Sequence, residues 1–327
     1  MSAARPRQIP PALKPRDCVA FVAPAKPVAP AALESAVALL HGWQLSSTMR
    51  WLPAAARGYL AGESDAARAA ALQGALLDPQ VQAVWCARGG YGTTRLLPLL
   101  DWDLLRREAA CKIVTGYSDI TALHQALALE LGWVSFHGPV AALAVLGAEA
   151  PDFTRSHLHR AWTQRIPLGP LPVPAAAQGW QQPAQVVCAG SGHGPLVGGN
   201  LSLLAALSGT RWQLRSSGAL LLLEDVDEAP YRIDRMLTQL LQAGSLSGCQ
   251  GVVFGASPAC EQPAGPAASL SLLEVLQDLL APLQVPVVYG WPAGHTAHQW
   301  TLPLGMPASL VAAPGVASLS VTACAVS

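Results

Sequence analysis

The chain has 327 residues, 51% of them hydrophobic and only 12% charged, which supplies apolar surface for more than one core and excludes a disordered or coiled-coil protein. Twenty basic residues balance twenty acidic ones, so no cationic excess exists to hold nucleic acid or an anionic membrane surface. Apolar runs such as Gly218 to Leu223 stop at a charge, far short of the roughly 20 residues a membrane-spanning helix needs.

In chain order, Met1 to Asp17 is Pro- and Arg-rich with no apolar stretch behind it, so it does not read as a signal peptide. A buried strand is expected over Cys18–Ala23, ended by Pro24. A helix follows from Ala31 to His41, with Gly42 closing it. Ser64 or Asp65 can cap an Ala-rich helix running to Leu77. Next come a strand over Val81–Cys86, a helix from Thr93, a strand over Lys112–Thr115, a sharp turn at Gly116–Asp119, a helix from Ile120 to Leu131 and a strand over Trp133–Phe136. Strand–helix alternation of this kind predicts a parallel sheet with helices on both faces.

The stretch 166–183 carries Pro167, Pro170, Pro172, Pro174 and Pro183, and reads as a linker between a domain at 1–165 and another at 184–327. Beyond it, short glycine-rich strands are expected around Val186 and Leu196, and a helix from an Asn200 cap to Leu207. A buried strand then spans Ala219–Leu223, followed by a helix at Tyr231–Ala243, a strand at Gly251–Phe254, a helix at Leu270–Leu283 and a strand at Pro286–Tyr289. A surface loop is expected at 258–268, and short antiparallel strands from Thr301 onward. The seven cysteines form no C-x-x-C pair and read as reduced core residues, which makes the cytoplasm the expected compartment.

The usual phosphate cradles, G-x-x-x-x-G-K-[ST] and G-x-G-x-x-G, are missing, as is the zinc motif H-E-x-x-H. Neither a cofactor nor a metal is expected. Four features do suggest chemistry, each with a plainer reading beside it. Gly116-Tyr-Ser-Asp119, between a strand and a helix, suits a nucleophile elbow that lifts Ser118 above the sheet; alternatively Ser118 only caps the helix. Arg88-Gly-Gly-Tyr-Gly92 can present backbone N–H groups to an oxyanion, or be a simple turn. Glu224-Asp225 ends a strand of four leucines, where an open α/β sheet binds ligands, or is a solvated strand end. His295 lies in a loop after another strand, where a histidine is often only structural. Taken together they supply a nucleophile, an oxyanion hole, an orienting carboxylate and a general base, in the order Ser118, Glu224, His295.

At these residues the chain resembles the LD-carboxypeptidases, serine peptidases that trim murein tetrapeptides, and the related microcin C immunity peptidases. The resemblance rests on Val19-Ala-Phe-Val-Ala-Pro24, Gly58-Tyr-Leu-Ala-Gly62 with Arg68, Ala87 to Gly92, Gly116 to Asp119 and Phe136-His-Gly-Pro139. It continues through Gly198-Gly-Asn-Leu201, Leu223-Glu-Asp-Val226, Tyr231-Arg-Ile-Asp-Arg235, Gly294-His295 and Leu302-Pro-Leu-Gly305. It implies an α/β fold in which an N-terminal Rossmann-like parallel-sheet domain carries Ser118. A C-terminal mixed α/β domain would carry Glu224 and His295, with the active site in the interdomain cleft. It also implies that Ser118 is the nucleophile, His295 the base and Glu224 its orienter, with the N–H groups of Gly90 and Asp119 as oxyanion donors.

The expected reaction is release of a terminal D-alanine from murein tetrapeptide in cell-wall peptide recycling; the alternative is an immunity-like peptidase acting on peptide–nucleotide or other acyl-amide toxins. The expected partner is a small peptide substrate, with no nucleic acid and no membrane, and the family implies a possible homodimer. Arg88 offers a guanidinium fork to the substrate carboxylate, or else ties down its own loop. Where family members often carry Ser or Thr after the proline of the first strand, this chain has Ala25-Lys26.

Overall fold

Runs of small and branched apolar residues, buried on both faces, make the central strands of a parallel sheet. In the computed structural model, which describes residues 6–50, 57–62, 64–142, 150–180, 183–261 and 269–327, the chain divides into two units. The first holds Met1–Arg165, Thr301–Pro303 and Ala325–Ser327; the second holds Ile166–Trp300 and Leu304–Cys324.

In the first unit β1 (Cys18–Val22), β2 (Ser46–Met49), β3 (Ala83–Cys86), β4 (Ile113–Gly116) and β5 (Ser135–His137) pair in parallel, in the order β5-β4-β3-β1-β2. The helices between them are α1 (Glu34–Gly42), α2 (Asp65–Leu77), α3 (Trp102–Glu108) and α4 (Thr121–Glu130), followed by α5 (Asp152–Thr163). The Ser64 hydroxyl accepts the Ala67 N–H and so starts α2, and the Asp101 carboxylate accepts the Leu104 N–H to start α3. Behind the sheet, Trp85 and Trp162 pack edge to face with ring centroids 5.1 Å apart. Each indole N–H finds an acceptor, Pro139 O and Thr115 Oγ1 respectively.

The second unit is built on β6 (Gly169–Pro170), β7 (Gln185–Cys188), β8 (Gly190–Asn200), β9 (Leu220–Glu224), β10 (Gly251–Gly255) and β11 (Val287–Trp291). The later strands are β12 (Leu302–Leu304), β13 (Pro307–Ala313) and β14 (Val316–Val321). β12 forms the edge of the first sheet beside β5; the rest form an eight-stranded sheet in the order β6-β14-β13-β8-β9-β10-β11-β7. Its centre, β8 to β11, is parallel, and its flanks are antiparallel. α6 (Leu201–Ala206), α7 (Pro230–Gln242) and α8 (Leu272–Leu280) cover it, burying Leu204, Ile233, Leu237 and Leu276 against Leu221, Leu223 and Phe254. A capping box, Ser271 with Glu274, starts α8. The fold class is therefore the expected one, a parallel α/β sheet followed by a mixed α/β sheet.

Three details depart from the sequence reading. The stretch 166–183 is counted with the second unit: it contributes β6 to that sheet and buries Leu168, Leu171 and Trp180, so its prolines interrupt helix without preventing packing. No long helix starts at Thr93; two 3-10 turns, Thr93–Arg95 and Leu97–Leu99, lead to α3, because Pro98 cannot continue a helix. The tail also does not belong wholly to the second unit, since residues 301–303 and 325–327 return to the first. The expected loop at 258–268 lies outside the described residues from 262 to 268. All seven cysteines are free, and no described helix is long and apolar enough to cross a membrane.

Candidate active site

β4 ends at Gly116, and two residues later the chain turns into a 3-10 segment, Ser118–Ile120, that feeds α4. Ser118 takes φ +63°, a left-handed conformation that costs a side-chain-bearing residue energy and is held here by its surroundings. One restraint comes from His124, one turn into α4. Its Nε2–H donates to Gly116 O at 2.9 Å, and its Nδ1 accepts the Ser135 hydroxyl at 2.9 Å. Burial pushes this imidazole down to about 3, so it remains neutral and serves as a fixed strut. The Ser118 hydroxyl makes no hydrogen bond among the described residues, so it does not cap the helix.

The glycine loop after β3 lies against this turn. A Cβ added to Gly89 would stand 2.9 Å from the Ser118 Cβ and 3.2 Å from its Oγ. Two side chains hold the loop's far end. The fully buried Asp119 carboxylate accepts the Thr93 N–H at 2.8 Å. Burial raises its pKa, against the opposing pull of hydrogen bonds from Thr93 and Gly92 and of the nearby Arg68. Arg68, itself buried, donates to Pro24 O, Gly92 O and the Asp65 carboxylate. Asp119 thus both follows the nucleophile candidate and anchors the loop beside it. Among the described residues neither the Gly90 N–H nor the Asp119 N–H donates a hydrogen bond, leaving both available to an anion. Arg88 is exposed and likewise makes no hydrogen bond among the described residues, so it does not tie down its loop.

In the second unit, β9 delivers Glu224, fully buried, at its carboxyl end. His295 follows β11 in a loop, and its Nδ1 lies 2.8 Å from Glu224 Oε2. An ionised carboxylate can only accept, so Nδ1 carries the proton and Nε2 is left as the basic nitrogen. Burial disfavours the imidazolium. The charge and hydrogen bond of Glu224, with smaller help from Asp225 and Asp227, outweigh that cost and raise the His295 pKa above its ordinary value. Gly294 makes the approach possible: it sits at φ +96°, and a Cβ there would lie 2.2 Å from Glu224 Oε2.

Asp225, next to Glu224, accepts from Asn200 Nδ2 at 3.1 Å, Ser202 N at 2.9 Å and Ser202 Oγ at 2.6 Å, and so ties the end of β9 to the start of α6. In sequence Asp225 reads only as a strand-end acid beside Glu224, with no sign of this separate task, and no motif marks His124. A lone histidine one turn after the elbow, in an Ala- and Leu-rich helix, is the available signal.

Residues 19–138 match the family model of the LD-carboxypeptidase N-terminal domain, and residues 193–310 that of the C-terminal domain. The chain is also 42% identical over 314 residues to a putative carboxypeptidase of Streptomyces coelicolor, covering 94% of each protein. The chain belongs to the LD-carboxypeptidase family. Among other LD-carboxypeptidase relatives, the murein tetrapeptide carboxypeptidase of Pseudomonas aeruginosa is 33% identical over 298 residues, covering 89% of this chain and 92% of that protein. The solved structure of the microcin C7 self-immunity protein MccF in its wild-type apo state superposes with a TM-score of 0.85 at 22% identity, over 98% of this chain and all of that one, which shows a common fold. Family membership makes the chain a peptidase.

Proposed function

We propose that the chain is a cytoplasmic serine-type LD-carboxypeptidase that removes the terminal D-alanine from murein tetrapeptide during cell-wall peptide recycling. The observation that carries the serine mechanism is the His295 Nδ1–Glu224 contact at 2.8 Å, which leaves Nε2 as a base. In this reading Ser118 Oγ attacks the carbonyl preceding the D-alanine, and Nε2 takes its proton. The oxyanion that forms is received by the N–H groups of Gly90 and Asp119. His295 then returns the proton to the departing amine, releasing D-alanine and leaving the tripeptide as an ester on Ser118. A water molecule, deprotonated in turn by His295, hydrolyses that ester.

The decisive experiment incubates the purified enzyme with murein tetrapeptide, tripeptide and a peptidyl-nucleotide mimic, followed by mass spectrometry. Loss of one alanine from the tetrapeptide alone is expected. Cleavage confined to the nucleotide mimic would move the assignment to an immunity-like peptidase. That reading is favoured by the exposed Tyr59–Tyr91 ring pair, centroids 5.6 Å apart, since Tyr91 sits in the glycine loop where it could meet a planar base.

The pH profile gives a second check. Only neutral imidazole can accept the serine proton, so kcat/KM rises as pH climbs through the His295 pKa. Because that pKa is raised in the folded protein, the step is expected above the value of about 6.5 for an isolated histidine. Glu224→Gln removes the carboxylate's charge and moves the step of the residual activity downward. A wild-type profile that is flat from pH 5 to 8 would remove His295 from the role of base.

A further inference from the structure

Lys26 lies just beyond the Pro24 that ends the first strand region, at a position to which the motifs assigned no task. Its stem runs along the glycine loop. A Cβ built on Gly90 would come within 2.6 Å of Lys26 Cγ, 2.5 Å of Cδ and 3.0 Å of Cε. With three successive methylenes against one residue, the ammonium, one bond farther on, ends beside the same loop. The side chain is half-buried, so it gives up rotamer freedom to lie there. Yet among the described residues its ammonium has no hydrogen bond and no ion pair.

The other cations near the loop differ. Arg68 and Arg95 are already engaged with Asp65. Arg88 is unpaired but exposed, and nothing holds its guanidinium in place. Lys26 alone of these four is both positioned and uncommitted.

The chemistry of the proposed reaction supplies a partner. When the scissile carbonyl oxygen rests on the Gly90 N–H, the leaving residue's carboxylate carbon is three bonds from the carbonyl carbon, a path of about 4.3 Å. A cation lying across Gly90 is therefore within reach of that carboxylate, and of nothing comparable in an internal peptide bond. We propose that Lys26 binds the terminal carboxylate of the substrate and is the residue that restricts this serine peptidase to the chain end. The assignment rests on the carboxypeptidase reading above and names the cation that reading requires.

The test compares kcat/KM for murein tetrapeptide ending in free D-alanine with its D-alanine amide, in wild type, Lys26→Met, Lys26→Arg and Arg88→Gln. Wild type is expected to prefer the free acid by about 30-fold or more, the range seen when one partner of a buried charge pair is lost. Lys26→Met keeps the apolar stem and is expected to bring that ratio to within about threefold of unity. Lys26→Arg is expected to retain most of the preference, and inhibition by the product D-alanine should weaken in the Met variant alone. Lys26→Gln replaces Lys26→Met if the latter does not fold by circular dichroism. A preference that survives in Lys26→Met, or that disappears instead in Arg88→Gln, overturns the assignment. A wild-type ratio near one is a different failure: it rejects the carboxypeptidase reading itself, and the Lys26 proposal with it.

Discussion

Ser118→Ala is expected to lower kcat by about 10⁵- to 10⁶-fold, with KM little changed and the thermal unfolding midpoint close to wild type. The hydroxyl makes no hydrogen bond among the described residues, so its removal leaves no buried group unsatisfied. The alanine must still adopt the left-handed φ of +63°, a strain serine already bears. His295→Ala is expected to cost a similar factor, because a serine hydroxyl without a base is a weak nucleophile at neutral pH. Combining the two should cost scarcely more than either alone, since each removes the same proton transfer. Single-turnover kinetics on purified variants decide the matter. Near-wild-type turnover by Ser118→Ala would end the serine mechanism, and multiplicative losses in the double variant would show that the two residues do not act as one unit.

Gly294→Ala carries the second large effect, on the order of 10⁴-fold in kcat, close to that of Glu224→Gln. Neither substitution touches substrate in the proposed mechanism. The methyl group would arrive 2.2 Å from Glu224 Oε2, so the fully buried carboxylate could not keep its place, and the glycine φ of +96° adds backbone strain. Either the carboxylate or the His295 loop must move, and the contact that selects the Nδ1–H tautomer is lost. Substitution of Gly58, whose added Cβ would meet nothing within 4 Å although its φ is also positive, separates a general backbone cost from this local one. Equal activity losses at Gly58 and Gly294 would show that the His295–Glu224 contact is not what Gly294 protects. The measurement is kcat beside the imidazole NMR signal of His295, whose hydrogen-bonded Nδ1 proton should disappear in Gly294→Ala and persist in Ser118→Ala.

How much of this was legible beforehand depends on how far apart in the chain the partners lie. Ser64 three residues before Ala67 and Asn200 three before Leu203 are caps, set by neighbours, and were visible as such. The leucines of β9 announce a strand buried on both faces, and its carboxyl end makes Glu224 a candidate site residue. By contrast, β2, Ser46–Met49, is mostly exposed; with little to bury it carries no apolar pattern, and only pairing with β1 makes it a strand. The proline-rich 166–183 looked like a linker because proline blocks local hydrogen bonding, whereas a two-residue pairing with β14 and the burial of Trp180 are non-local.

The sequence by itself thus determined the α/β alternation, the capped helix starts at Ser64 and Asn200, the family and the three residues proposed as the triad, because each is written in short-range periodicity or in contiguous motifs. The tertiary structure alone decided which distant groups meet. Asp119 reaches back 26 positions to Thr93, Lys26 lies along Gly90, His295 finds Glu224 71 positions away, and residues 301–303 return to the first unit. The physical reason is that such contacts depend on loop closure and on the packing of whole elements, whose energies are summed over many residues and leave no local signature.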